Sequence, residues 1–455
     1  MKRALLLLLA CVGCSSQGPL SSDASPDAPA DGAGFDAGGD GGALDDLDRL
    51  AGLLDALAKT SDAGARAALV EAFLRAVAYG DAGFPIRARG KLAVVWWDPK
   101  AAPGPIALAG DHDGWSTSAE PLTQPIAGFP LWVRVEDDPK PAARALYKFV
   151  RGGVEWLADP WARRYGFDAN GEYSLLEPGV ALGHLERWPA FDQARGALEA
   201  RTLAVWVPPG YDATRAPYLP LLVMQDGQNV FGPGGAYGSW HADDAAEQGV
   251  LSGDVRPFLI AAIPSTTARI DEYTPYPDST PDTGTAGGQA EAYAAFVAQG
   301  VVPFVRARYR VRGEASETAV LGSSLGGVIS LYAARRDRAT FGAAAAMSPT
   351  TSWGSIGLTN PTIADLYAQA PPKGLRLYLD SGGDDGGGCA MLSRLDSERY
   401  HDQYCETAAF KDALVGLGWK PGADLFYVWA PGATHTESEW QKRLPSALRA
   451  WFPGK

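Results

Sequence analysis

The chain has 455 residues, long enough for two or three domains, and 46% of them are hydrophobic, enough for a sizeable core. Its net charge of -13 excludes the basic footprint that nucleic-acid binding needs. The acidity is uneven: residues 1–48 hold eight Asp against only Lys2 and Arg3.

The N-terminus reads as an export signal over residues 1–14. Lys2 and Arg3 are followed by the apolar run Ala4 to Val12, which is too short to span a bilayer as a mature helix. Small residues precede a cysteine twice, in Leu8-Leu9-Ala10-Cys11 and in Val12-Gly13-Cys14-Ser15-Ser16. Both resemble the lipobox of bacterial lipoproteins, whose cysteine is lipidated. The resemblance implies an exported protein held to a membrane by a lipid on Cys11 or Cys14. Residues 15–43 are rich in Asp, Gly, Pro, Ser and Ala, a composition that cannot bury enough surface to offset its ordering entropy, so a flexible tether is expected. Of the four cysteines only Cys389 and Cys405 lie outside the signal, and an exported compartment lets them pair.

Helical periodicity begins at Ala43, where Leu44, Leu47, Leu50, Leu54 and Leu57 make one apolar face. A second helix, capped by Ser61 or Asp62, carries Leu69, Val70, Phe73, Leu74 and Val77. A helical hairpin over 44–82 is therefore expected. From 86 to 180 short strands such as LAVVWW, LWVRVE and ALYKFV alternate with Pro, Gly and Asp turns, the texture of an immunoglobulin-like β-sandwich. Within it, IALAGDHDGWSTSAEPL and LYKFVRGGVEWLADPWARR resemble the early-set family related to glycogen-binding modules. The carrying residues are Gly110, Asp111, Trp115, Tyr147, Lys148, Phe149, Trp156, Asp159 and Pro160. Sugar contact by Trp115 or Trp156 is what that resemblance would imply, although a Trp holding two sheets together is the commoner use.

Over 198–455 apolar strands alternate with helices: RTLAVWVPP, YLPLLVMQDG, RPFLIAAIP, ETAVLGSS, LRLYLDSGG and DLFYVWAPG. This α/β pattern predicts a mostly parallel sheet with helices on both faces. Gly322-Ser323-Ser324-Leu325-Gly326 sits between a strand and a helix, the context of a nucleophile elbow. Ser324 has glycines at minus two and plus two; Ser323 has Leu321 and Leu325 there. The helix beyond offers N–H groups and a positive dipole end to an oxyanion. In that arrangement the acid and base follow the serine, and only His401 and His435 do so. His401 falls in ERYHDQYC, which reads as helical; His435 follows an apolar strand, where a base belongs. Asp380, Asp384 and Asp385 are the candidate acids after the preceding strand.

Five stretches in order, LLVMQDGQNVF, FLIAAIPSTTARIDEYTP, AVLGSSLGGVISLYAA, MSPTTSW and GATHTESEWQKRLPSAL, resemble the esterase family of enterochelin esterases, esterase D and feruloyl esterases. The resemblance implies an α/β-hydrolase fold with Ser324 as nucleophile and His435 as base. Counting three residues from Gly382 it implies Asp385 as acid, with Asp384 as the alternative. It implies backbone oxyanion donors at Leu325 and Gln228, and Asp226, Arg269, Glu272 and Tyr273 as candidates near the substrate. One departure is Ser265-Thr266-Thr267, where family members often carry Asn. The activity implied is hydrolysis of a small-molecule or polysaccharide ester, feruloyl, acetyl or siderophore in type, without metal or cofactor. The alternatives are a non-catalytic ligand-binding lipoprotein and an acyltransferase using the same three residues.

Overall fold

The computed structural model describes residues 45–100, 104–117, 119–215, 217–384, 388–389 and 401–454. The expected signal and tether, Cys11, Cys14 and Asp385 lie outside them. Among the described residues no helix is long and apolar enough to cross a membrane.

Two helices open the described chain, Asp46–Lys59 and Ala63–Ala78. Each is capped by an aspartate: Asp45 accepts from the Asp48 N–H at 3.0 Å and Asp62 from the Ala65 N–H at 2.7 Å. Leu50, Leu53, Leu57, Val70, Leu74 and Val77 are buried between the helices and the sheet that follows.

The strand Lys91–Trp97 shows why its sequence does not alternate polar with apolar. Side chains alternate faces along a strand. Ala93, Val95 and Trp97 pack under the two helices, while Leu92, Val94 and Trp96 face Ile106, Leu108, Tyr147 and Phe149 across a second core. Both faces are covered, so both are apolar. This strand belongs to a three-stranded sheet with Ile86–Ala88 and Leu131–Asp137. The sheet opposite is the outer part of a thirteen-stranded sheet that runs on without a break into the α/β half.

The strand His184–Phe191 makes that continuity. It pairs antiparallel with Arg164–Asp168 on one side and with Arg201–Val207 on the other. Its Glu186 is buried and accepts from Arg164 Nε at 3.1 Å and from the Tyr309 hydroxyl at 2.7 Å. Tyr309 also accepts from Trp188 Nε1 at 2.9 Å. The junction between the two halves is thus a buried, hydrogen-bonded joint.

Beyond it the sheet order is 201–207, 259–263, 221–225, 318–323, 343–347, 376–381 and 425–429, with every pairing after the first parallel. Val205, Val223, Ala261 and Val320 point into one core, and Trp206, Met224, Ala262 and Leu321 into the other. Burying a valine, leucine or methionine side chain there contributes roughly 1.5–3 kcal/mol. Because the strands run parallel, Gln225, Ile263, Ser323, Met347, Ser381 and Trp429 finish at one end of the sheet. The loops that follow converge there.

Candidate active site

Ser324 stands where the strand Thr318–Ser323 becomes the helix Leu325–Arg336. Its backbone sits at φ 56°, ψ -126°, a conformation a side-chain-bearing residue adopts only when its surroundings enforce it. They do. A Cβ on Gly322 would meet the Gly326 carbonyl oxygen at 2.4 Å, and one on Gly327 would meet the Cβ atoms of Ala346 and Pro349 at 3.1 Å. The Ser324 N–H donates to the Met347 carbonyl at 2.9 Å, and its Oγ lies 3.3 Å from Thr350 Oγ1. Ser323 is the last residue of the buried strand and lies beneath the turn.

His435 follows the strand Leu425–Trp429, with its ring edge against Trp440 at a centroid distance of 4.8 Å. Its Nδ1 lies 2.7 Å from Oδ1 of Asp402. An ionised carboxylate only accepts, so Nδ1 carries the proton and Nε2 is left as the free base. Asp402 is buried, and its Oδ2 accepts from the Gly382 N–H at 2.6 Å and the Ser348 hydroxyl at 2.8 Å. Nη2 of Arg443 is 3.4 Å away.

The acid expected from the sequence was Asp385, or Asp384 in its place; the carboxylate that meets His435 Nδ1 among the described residues is that of Asp402. Asp385 lies outside the described residues, and the Asp384 carboxylate lies on the surface 3.0 Å from Nδ1 of His401. Gly382, which served to count forward to Asp385, instead donates its N–H to a carboxylate twenty residues on. A Cβ on Gly382 would sit 2.4 Å from Asp402 Oδ2, and one on Gly383 would strike the His401 carbonyl, so the two glycines make the cradle for Asp402. Asp402 and Gln403 hold positive φ angles of 45° and 62° just ahead of the helix Tyr404–Gly416. The stretch ERYHDQYC therefore is not helical up to residue 403 among its described residues. The Cys389–Cys405 disulfide, expected from the cysteine count, is present and joins this segment to the loop after Gly383. That bridge was the one signal in the sequence that could have brought Asp402 to the site.

Leu325 is the first residue of the helix behind Ser324, so its N–H points toward the same side. Gln228 lies in a single 3-10 turn, Gly227–Asn229, entered through Asp226 at φ 53°. A Cβ on Gly227 would meet the Ile263 carbonyl carbon at 2.7 Å, which fixes the turn against the neighbouring strand. The Gln228 side chain is held at both ends by Ser265: Nε2 donates to Oγ at 2.9 Å and Oε1 accepts from N–H at 3.0 Å. The residue that replaces the family Asn region thus supports the turn. Asn229 donates to Glu437 at 3.0 Å, tying this turn to the start of the helix that follows His435. Burial, with the charge of Asp226 adding to it, pushes the Glu437 carboxyl up.

The four expected substrate neighbours are bonded among themselves and to the frame around them. Arg269 grips Asp226 with two bonds of 2.7 and 2.8 Å, and the Asp226 N–H donates to the Tyr273 hydroxyl at 3.1 Å. Glu272 is buried and paired twice with Arg201 at 2.9 Å. Among the described residues no group of three or more His, Cys, Asp or Glu side chains is placed to hold a metal ion.

The family described as "Putative esterase" matches residues 198–451. The chain belongs to this esterase family. It is accordingly a carboxylic ester hydrolase. This esterase is 26% identical over 259 residues to the uncharacterized protein YbbA of Bacillus subtilis, a match covering 56% of the chain and 93% of YbbA. Among solved structures it is similar to the enterobactin esterase of Shigella flexneri, at 16% identity and a TM-score of 0.42, over 79% of this chain and 93% of that one. It is also similar to an IroE-like serine hydrolase of Shewanella oneidensis, at 18% identity and a TM-score of 0.45, over 59% and 80%.

Proposed function

We propose that the esterase works through a covalent acyl-enzyme, with Ser324 as nucleophile, His435 as base and Asp402 as acid. The observation that carries this reading is the 2.7 Å contact between His435 Nδ1 and a buried carboxylate, on a loop beside the strained serine turn. Ser324 Oγ attacks the ester carbonyl carbon while His435 Nε2 takes its proton. The oxygen becomes an oxyanion, held by the N–H groups of Leu325 and Gln228. The intermediate collapses, the imidazolium gives its proton to the departing alkoxide, and the alcohol leaves. Water then repeats the sequence on the acyl-serine, releasing a carboxylic acid. Asp402 holds the imidazole in its Nδ1–H tautomer and offsets the charge it acquires.

The substrate is an uncharged ester of the feruloyl or acetyl type. What supports this over an anionic siderophore is the charge around the turn: Arg269 is held by Asp226, and the carboxylates of Glu437 and Asp402 lie nearby. The β-rich half is an early-set sandwich, and its half-buried Trp115 beside the exposed Trp156, centroids 5.8 Å apart, supports contact with a glycan that bears such esters. Export and a lipid on Cys11 or Cys14 would hold the enzyme at the cell envelope.

The test is hydrolysis of p-nitrophenyl acetate and methyl ferulate by the wild type and by Ser324→Ala. The reading predicts turnover of both esters that vanishes in the variant. Equal rates in the two proteins would contradict it, and transfer of the acyl group to added alcohol in preference to water would favour the acyltransferase instead.

A further inference from the structure

Beneath the His435–Asp402 pair lies a second carboxylate that the three-residue mechanism does not use. Asp380, in the strand Arg376–Ser381, is fully buried. Arg443, buried on the helix Glu437–Trp451, stands between the two acids. Its Nε is 3.1 Å from Asp380 Oδ1 and its Nη2 3.4 Å from Asp402 Oδ2. The first is a close charge contact without the alignment of a hydrogen bond. Ser348 connects all of them. Its N–H donates to the Asp380 carbonyl at 2.9 Å, and its hydroxyl meets Asp402 at 2.8 Å, Arg443 at 2.8 Å and Trp440 Nε1 at 3.1 Å. On the other side the Tyr378 hydroxyl donates to Asp380 Oδ2 at 3.3 Å. Tyr427 of the neighbouring strand and Arg449 of the last helix are the further charged or titratable groups around this cluster.

Asp402 alone would be neutralised by Arg443, leaving no net charge behind the imidazole. With Asp380 ionised, two carboxylates share one guanidinium, and one negative charge remains to face His435. In a dry interior that difference is felt strongly.

We propose that Asp380 is a positioning residue for the triad: through Arg443 it holds Asp402 in place and keeps a net negative charge behind His435 as the imidazole takes up the serine proton. The proposal rests on the triad reading above. Burial pushes the Asp380 carboxyl up to about 7, with Arg443 pulling it down and Asp402 raising it further. The charge is therefore gained and lost around pH 7. As pH rises, loss of the Asp380 proton is then required in addition to a neutral imidazole.

The experiment compares log kcat/KM against pH for wild type, Asp380→Asn and Ser324→Ala with p-nitrophenyl acetate, with thermal unfolding as the check on folding. The wild type should show an acidic limb steeper than slope one. Asp380→Asn should show slope one, with kcat at pH 8 lowered roughly tenfold and KM little changed. A purely structural role would lower the unfolding temperature and leave the slope alone, which overturns the proposal. If Asp380→Asn does not fold, the wild-type limb decides together with Asp380→Glu: slope one in the wild type overturns the proposal. Hydrolysis that depends on Ser324 but has slope one in both proteins removes the role of Asp380 and leaves the esterase reading standing. Hydrolysis independent of Ser324 removes both.

Discussion

Replacing Asp402 by asparagine keeps the shape of the side chain, removes its charge and changes its hydrogen-bonding sense at one end. Three donors converge on Oδ2: the Gly382 N–H at 2.6 Å, the Ser348 hydroxyl at 2.8 Å and Arg443 Nη2 at 3.4 Å. The amide oxygen of the introduced side chain must face them. Turning it round would set an NH2 against those donors and forfeit at least two buried hydrogen bonds, at about 1–3 kcal/mol each. The NH2 is thereby directed at His435 Nδ1, which must then accept. The imidazole proton moves to Nε2, and the base can no longer take the proton of Ser324. For Asp402→Asn the expected fall in kcat is about 10⁴-fold, or about 5.5 kcal/mol of barrier, with little change in unfolding temperature. Steady-state hydrolysis of p-nitrophenyl acetate measures it, with Asp384→Asn and Asp385→Asn alongside, each expected within about threefold of wild type. Full activity in Asp402→Asn together with a large loss in Asp385→Asn would refute the reasoning and restore the acid expected from the sequence.

Two further predictions concern the frame around the site. Reducing the Cys389–Cys405 bridge, whose second cysteine lies three residues beyond Asp402, should lower kcat on the same ester and restore it on reoxidation; unchanged activity in protein shown by mass to be reduced would count against a role in holding the acid. At the joint between the two halves, burial opposes the ionisation of Glu186, but its hydrogen bond with His184 and the charges of Arg164, His184 and Arg163 override it and hold the carboxyl down to about 2. A lowered folded-state value means stability that is full above the ordinary range near 4.5 and lost as pH falls toward 2, so the denaturant gap between wild type and Glu186→Gln, roughly 3 kcal/mol at neutral pH, should close across that window. A gap as wide at about pH 2.5 as at pH 7 would contradict the assignment.

What could be read in the sequence was what local pattern decides. The glycine spacing around Ser324 marks the elbow because the turn has no room for a Cβ at Gly322. His435 was legible because it directly follows an apolar strand. The carboxylate that meets His435 was not, because its position is set by contacts distant along the chain. Asp402 reaches Gly382 across twenty residues, through a left-handed pair that no local propensity announces. The strand His184–Phe191 falls between the two expected domains, 86–180 and 198–455. Its letters HLERWPAF mix charged and apolar residues without a clear alternation. In the fold Glu186 and Arg187 are buried: Arg187 reaches Glu172 and lies over the Tyr165 ring. Glu272 and Tyr273 matched a family position and were expected near substrate, yet their bonds go to Arg201 and to the Asp226 backbone, where they brace the turn that holds Gln228.

If Ser324 is the nucleophile, it alone should react with a serine-directed phosphonate. The most direct measurement is labelling of the wild-type protein with a fluorophosphonate, followed by peptide mass mapping. Labelling should place one phosphonate per chain, on Ser324 and not on Ser323, with loss of hydrolysis in step with labelling. Label on Ser323, or full hydrolysis remaining after complete labelling of Ser324, would contradict it.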